Sequence, residues 1–200
     1  MTTFLLIRHG ETDAVGKSLM GWAPGWHLNQ TGRQQVERLA QRLARLPLKA
    51  IYTSPLERAR ETAQAIAGPH RLSVEAMDEI GEVHLGEWQG EIIADLDRRE
   101  EWRRYNTFRS GVRAPGGELM AETQTRMARA ITALVERHRG QTVALVSHGD
   151  PLRCAVAYFL GMPLDLLLRF EISPASVTVL EIDQWAPRLL CLNLTGEVPL

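Results

Sequence analysis

Lysine is nearly missing. Only Lys17 and Lys49 contribute to the 23 basic residues of this 200-residue chain, so arginine carries almost all the positive charge. Arginine's planar fork binds oxyanions through two parallel hydrogen bonds, so the places where arginines fall are informative. Net charge is also scarce. The 24 acidic residues leave a formal balance of -1, which excludes a global field that would draw in nucleic acid or an anionic membrane. Cysteine is limited to Cys154 and Cys191, far apart and in no C-x-x-C pattern. That excludes a disulfide framework and fits two free thiols in a reducing compartment. No apolar run reaches membrane-spanning length. The short run after Met1-Thr2-Thr3 has no preceding basic region, unlike a signal peptide. A cytoplasmic protein is therefore expected. The histidines lack the close helical spacing of a zinc site, and no acidic cluster resembles a magnesium or calcium cage. Neither a metal nor another cofactor is expected.

Repeats, low-complexity tracts and Pro/Ser linkers are absent too. What remains is an alternation of strand and helix signals. Phe4 to Ile7 is a continuous apolar run, as in a strand buried on both faces. Thr31 to Leu46 predicts a helix capped by Thr31, with Val36, Leu39, Ala40, Leu43 and Ala44 on one face. Ala50 to Thr53 predicts a short strand, and Ser54-Pro55 a cap opening a helix through Ala67. A third strand is expected at Leu72 to Val74. Glu91 to Asn106 has helical character, and Arg113 to Gly117 is a loop. Ala121 to Arg139 is amphipathic, and Thr142 to Val146 is another apolar strand. Pro151 to Leu160 predicts a helix. Val177 to Ile182 and Leu189 to Leu194 predict two strands that can pair as a hairpin at an edge, with a turn around Pro187. The expected fold is α/β: a three-layer α/β/α sandwich with a mostly parallel central sheet. Residues 1–200 form one domain in this reading, with 75–120 as a small helical cap over the site. The edge near Val177 offers a place for a homodimer.

In an open α/β sheet, ligands bind beyond the carboxyl ends of the strands. The first strand ends in Arg8-His9-Gly10, and the strand at Thr142 ends in Ser147-His148-Gly149. The strand at Ala50 feeds a helix whose first turns carry Arg58. Provided these strands are neighbours, two arginines and two histidines converge. The glycine after each histidine lets backbone N–H groups approach a ligand closely. Arginine forks neutralise a phosphate dianion and stabilise charge on its oxygens during transfer. A neutral imidazole is a competent nucleophile, forming a phosphohistidine. The leaving alkoxide needs a proton and the incoming water a base. Glu82, in Gly81-Glu82-Val83-His84-Leu85-Gly86-Glu87-Trp88, is the best single carboxyl for both. Its neighbouring arginines would lower its pKa, whereas an acid needs it raised.

These segments also resemble a family. Arg8-His9-Gly10-Glu11-Thr12 closely resembles the signature of the histidine phosphatase superfamily, the phosphoglycerate-mutase-like group. Leu28 to Gly32 and Tyr52 to Ala63, which holds Arg58-Ala59-Arg60-Glu61-Thr62, resemble its next motifs in order. Glu82 to Gly90, Pro115-Gly116-Gly117-Glu118 and Ser147-His148-Gly149 resemble the rest. The resemblance implies that His9 is phosphorylated, that Arg8, Arg58 and His148 form the phosphate pocket, and that Glu82 is the proton donor without a metal. It points to the phosphatase branch, near broad-specificity or alpha-ribazole phosphatases: a histidine acid-type phosphatase acting on a small phosphorylated metabolite. Only Glu91 to Ala114 separates the proton-donor motif from the P-x-G-E turn, less than in the mutases, so water should enter and hydrolysis should win. A mutase, or a phosphate-ester-binding regulator without turnover, is the alternative. Two departures stand out. Val15 occupies a position where many members place a phosphate-contacting Asn, and Asn193-Leu194-Thr195-Gly196 only loosely resembles the N-x-T tail.

Other residues carry weaker signals. Gly149 and Trp22 are candidate substrate contacts, Trp22 and Trp26 lying in a Gly/Pro-rich loop. His27, His70 and His138 read as surface, and His84 as packed or exposed. Arg98, Arg99, Arg103, Arg104, Arg109 and Arg113 read as a solvated face paired with Glu100 and Glu101. Glu11 to Ser18 nearly fits a phosphate loop, but Glu11 replaces its first glycine and glycines and a proline follow where a helix is needed.

Overall fold

The computed structural model describes residues 1–198. In chain order the elements are β1 (Thr2–Arg8), α1 (Gln30–Leu43), β2 (Leu48–Thr53), α2 (Glu57–His70), β3 (Val74–Ala76), α3 (Ile93–Leu96), α4 (Glu100–Thr107), α5 (Met120–Arg137), β4 (Thr142–Ser147), α6 (Gly149–Leu160), β5 (Val177–Ile182) and β6 (Pro187–Leu194). The apolar run of β1 is buried along its length because side chains alternate between two covered faces. Leu5 and Ile7 join a core with Val36 and Leu39 of α1 and Ala63 and Ile66 of α2. Phe4 and Leu6 join a second core with Ile131 and Leu134 of α5 and Leu152 and Val156 of α6. The result is the expected α/β/α sandwich.

The sheet order is β3-β2-β4-β1-β5-β6. β1 to β4 run parallel, while β5 is antiparallel to β1 and β6 to β5. Arg8 pairs in register with Ser147, and Thr53 with Val146, so the ends of β1, β4 and β2 lie side by side. A third core gathers Val83, Trp88, Leu96, Trp102 and Tyr105 against Cys154 and Ala157 of α6. Among the described residues, no helix is long and apolar enough to cross a membrane.

Several local expectations shift. Asn29, not Thr31, caps α1: its side chain accepts from the Gly32 N–H at 2.8 Å, and Thr31 lies inside the helix. Ser54 does not open α2, which starts at Glu57 and continues past Ala67 to His70. The third strand starts at Val74 rather than Leu72. Glu91 to Asn106 divides into α3 and α4. Pro187 begins β6 instead of sitting in the turn. The strand at Val177 is no edge, since β1 and β6 flank it, so the pairing imagined there with a second copy is blocked. His138 is buried, with Nε2 2.9 Å from the Tyr52 hydroxyl and Nδ1 2.8 Å from Gln141 Oε1. No helix begins at Lys17, as a phosphate loop would require.

α1 presses hard on the segment just after β1. A Cβ on Gly32 would lie 2.1 Å from the Glu11 carbonyl oxygen, and one on Gly10 2.7 Å from Val36 Cγ2. Gly10 therefore serves packing rather than ligand approach, and its N–H donates to Thr62 Oγ1 at 3.1 Å. Gly32→Ala should cost about 2 kcal/mol or more through overpacking against backbone. Urea denaturation checks this; a midpoint equal to wild type would contradict the close approach.

Candidate active site

His9 and His148 follow the adjacent ends of β1 and β4, with ring centroids 5.1 Å apart and planes at 63°. His9 Nδ1 is 2.7 Å from the Gly10 carbonyl oxygen, which can only accept. Nδ1 therefore carries the proton, and Nε2 presents its lone pair. Arg58 Nε donates to that Nε2 at 3.3 Å, and Arg58 Nη2 to the Gly21 carbonyl at 3.0 Å. Arg8 Nη1 donates to the Ile172 carbonyl at 2.7 Å. His148 Nε2 is 2.8 Å from Ser54 Oγ, which also accepts from the Leu56 N–H at 3.3 Å. Arg8 Nε, Arg58 Nη1 and His148 Nδ1 are buried without a hydrogen-bond partner among the described residues. Buried polar groups are normally satisfied, so three such atoms on residues crowded about one lone pair fit the oxygens of a bound phosphoryl group. Burial, then the charge of Arg58, holds both histidines well below the ordinary 6.5.

Glu82 reaches this cluster from the segment after β3. That segment is tied to the strand ends by Met77 N–H to the Thr53 carbonyl at 2.8 Å and Ser147 Oγ to the Ile80 carbonyl at 2.7 Å. Glu82 Oε2 lies 3.6 Å from His148 Nδ1 and 3.9 Å from Arg58 Nη2. The conflict between burial and arginine is decided here: burial pushes the Glu82 carboxyl up, and Arg58, the Val83 N–H and Arg8 only partly oppose it.

The backbone carrying Glu82 is clamped from α5. Arg126 Nη1 donates to the Glu79 and Gly81 carbonyls at 2.7 and 2.8 Å, and Nη2 to the Glu82 carbonyl at 2.8 Å. Its Nε meets Glu118 Oε1 at 2.8 Å, while Glu118 Oε2 accepts from the His84 N–H at 2.8 Å. Trp22 adds an indole N–H to the Glu82 carbonyl at 2.7 Å and stacks on His84 at 4.5 Å. Trp22 thus braces Glu82 and is not among the residues lining the cavity, contrary to its expected role; Gly149 does line it.

That cavity, about 250 Å³, opens beside Arg8, His9 and Glu82. A recess of about 280 Å³ beside Met1 and Trp185 holds none of these groups. Val15 lines the site cavity. So does Arg109, which departs from the solvated face expected of its neighbours: it is 4% exposed and meets Asp150 Oδ2 at 2.8 Å. Arg99 and Arg113 stay exposed, but they pair with Glu91 and Glu122 rather than Glu100 and Glu101. Among the described residues, no group of three or more His, Cys, Asp or Glu side chains is arranged to hold a metal ion.

The family model for the histidine phosphatase superfamily (branch 1) matches residues 4–195. The chain belongs to that superfamily. It is 33% identical over 199 residues to phosphoserine phosphatase 1 of Hydrogenobacter thermophilus, covering 98% of this chain and 93% of that protein. A mutant phosphoserine phosphatase of Entamoeba histolytica, solved with phosphoserine, superimposes with TM-score 0.89 at 26% identity, covering 98% of each chain. The alpha-ribazole phosphatase of Shigella flexneri superimposes with TM-score 0.87 at 28% identity, also covering 98% of each.

In this superfamily member the structure brings Arg8, His9, Arg58, Glu82 and His148 together. Sequence reasoning missed Arg126 and Arg109, whose helical context looks like solvated surface, and Asn193. Asn193 Oδ1 accepts from the Ser173 N–H at 2.6 Å, fixing the loop whose Ala175 N–H reaches the Arg8 and His9 carbonyls at 3.1 and 3.2 Å. The tail motif was the one signal for it. Arg126→Lys should fold yet lose about tenfold or more in turnover of an aryl phosphate, because an ammonium cannot replace a fork holding three carbonyls and a carboxylate. Wild-type turnover in this variant would refute the clamp.

Proposed function

We propose that this chain is a metal-independent phosphomonoester hydrolase acting through phospho-His9. The observation that carries the reading is the lone pair of His9 Nε2 set among buried, unpartnered donors. Nε2 attacks phosphorus in line, the N–P bond forms and the ester P–O bond breaks. Arg8, Arg58 and His148 hold the phosphoryl oxygens, and the Gly10 carbonyl steadies the positive imidazole ring through Nδ1–H. Glu82 gives its proton to the leaving oxygen. Its carboxylate then takes a proton from water, whose oxygen attacks phosphorus as the N–P bond breaks and phosphate leaves.

The two titrations must overlap for this sequence to run. A histidine at 6.5 is neutral only above the pH at which a glutamate at 4.5 has lost its proton. Lowering His9 and raising Glu82 opens the window in which both are in the right form. We also propose that residues 75–120 act as the cap, and that its short Glu91 to Ala114 stretch admits water and favours hydrolysis over transfer. The named activities of the phosphoserine and alpha-ribazole phosphatases support the hydrolase reading.

His9→Ala, assayed with an aryl phosphate in chelator, should fall by about a thousandfold or more. Wild-type turnover in that variant would sink the reading. Glu82→Gln should release one equivalent of phenolate in a burst and then stall as acid-labile phosphohistidine, since the second step lacks its base. With phosphoglycerate, free phosphate is expected, and an isomerised ester would assign the chain to the mutases. The pH profile of kcat/KM should fall on the alkaline side as Glu82 loses its proton, and on the acid side only well below pH 6.5, where His9 gains one. A single acid limb at 6.5 would contradict the depressed His9.

A further inference from the structure

His9 and His148 stand at one phosphoryl pocket, and the proposed reaction asks opposite things of them. This inference rests on the proposed phospho-His9 reading and deepens it. His9 must offer a lone pair, whereas His148 must offer an N–H to an oxygen. A neutral imidazole has one of each, so the nitrogen that carries the proton decides what the ring presents. Burial and the charge of Arg58 hold both rings well below 6.5, so both are neutral near neutral pH. His9 is settled by the Gly10 carbonyl, which can only accept, at 2.7 Å from Nδ1. His148 has no carbonyl in that place. Its Nδ1 is buried without a partner among the described residues and lies 3.6 Å from Glu82 Oε2, beyond hydrogen-bond reach. Its Nε2 has Ser54 Oγ at 2.8 Å.

A hydroxyl can give or take, so the other contacts of Ser54 decide the direction. Its Oγ takes the Leu56 N–H at 3.3 Å, and among the described residues its only other hydrogen-bond partner is His148. Ser54 is 0% exposed, so bulk water does not reach its proton. Were Nε2 the protonated nitrogen, Oγ would accept twice and its own proton would be left buried with no acceptor. The remaining lone pair, on Nδ1, would then face the phosphoryl oxygens and Glu82. We infer that Ser54 donates to His148 Nε2 and thereby fixes the ring's proton on Nδ1, the nitrogen left for the transferring phosphoryl group. Ser54 is thus a positioning residue, acting through His148 and making it the donor of the pair rather than a second nucleophile. The backbone keeps the hydroxyl in place: the Ser54 N–H donates to the Val146 carbonyl at 2.9 Å, on the strand that leads to His148.

Two-bond proton–nitrogen correlation spectra of the protein labelled with nitrogen-15 in its histidine rings, taken at about pH 8, read the tautomer directly, and His148→Gln identifies the signals of His148. In the wild type, Nδ1 should show the shift of a protonated ring nitrogen and Nε2 that of a bare one. The reverse pattern overturns the inference whatever the activity. In Ser54→Ala the shifts should move toward the other tautomer. For an aryl phosphate, kcat should then fall by about tenfold or more with KM changed by less than about twofold, because the donor matters most where charge develops in the transition state. Ser54→Thr keeps the hydroxyl and should restore both readouts. A folded Ser54→Ala enzyme with the wild-type tautomer and the wild-type kcat removes Ser54 from the proposal. Should that variant fold poorly, the wild-type spectrum alone decides the direction of the hydrogen bond. No turnover and no phosphohistidine in the wild type would bring down the hydrolase reading, and the catalytic sense of this inference with it. Turnover through phospho-His9 with the reverse tautomer would bring down this inference alone.

Discussion

A guanidinium buried without a close counter-ion sets the terms for everything around it. Arg58 is 0% exposed, and the nearest carboxylate oxygen paired with it is 3.9 Å away. Burying such a charge is costly unless something compensates it. The surrounding groups are arranged so that nothing inside the protein fully does. Burial, and then the charge of Arg58, whose Nε sits on the ring's lone pair, hold His9 well below the ordinary 6.5. His148 is held neutral by the same burial and charge. Glu82 approaches, but burial pushes its carboxyl up. In the proposed reaction the compensating partner is a phosphoryl dianion from outside, so that phosphate affinity and nucleophile activation would be two aspects of one electrostatic deficit.

Much of this was legible in the chain itself. Continuous apolar runs marked β1 and β4 because strands covered on both faces leave no polar alternation. The residues ending those strands followed, as did the ordered motifs that carry the family resemblance. The losses share a cause. Whether Arg109 or Arg126 is solvated depends on what a segment tens of residues away brings to it, and helical spacing holds no record of that. Ser54 followed by proline looks like a helix cap, yet α2 starts only at Glu57 and the Ser54 hydroxyl also meets His148 from the end of β4. Trp22 looked like a pocket wall because aromatic rings often are, but its indole N–H found the Glu82 carbonyl. Strand order is likewise not local, and so β5 was mistaken for an edge.

The site divides into a stiff part and a variable part. Glu82 is positioned largely through backbone carbonyls held by Arg126 and Trp22, with Glu118 fixing the next turn through the His84 N–H. The cavity beside it is lined by glycine backbone at Gly16, Gly21 and Gly149 and by a set of apolar side chains. Leu19 and Leu168 line it, and their side chains take no part in the hydrogen bonds that hold Glu82. Such a division suits a fold whose relatives act on different phosphate esters.

The central place of β1 has one more consequence. Its partners β4 and β5 lie more than 130 residues further along the chain. During synthesis the apolar run from Phe4 to Ile7 must wait until both have emerged, so the strand leading to His9 is made long before it can be housed. Until then it is an exposed, uncharged segment of high strand propensity, the sort that seeks other strands.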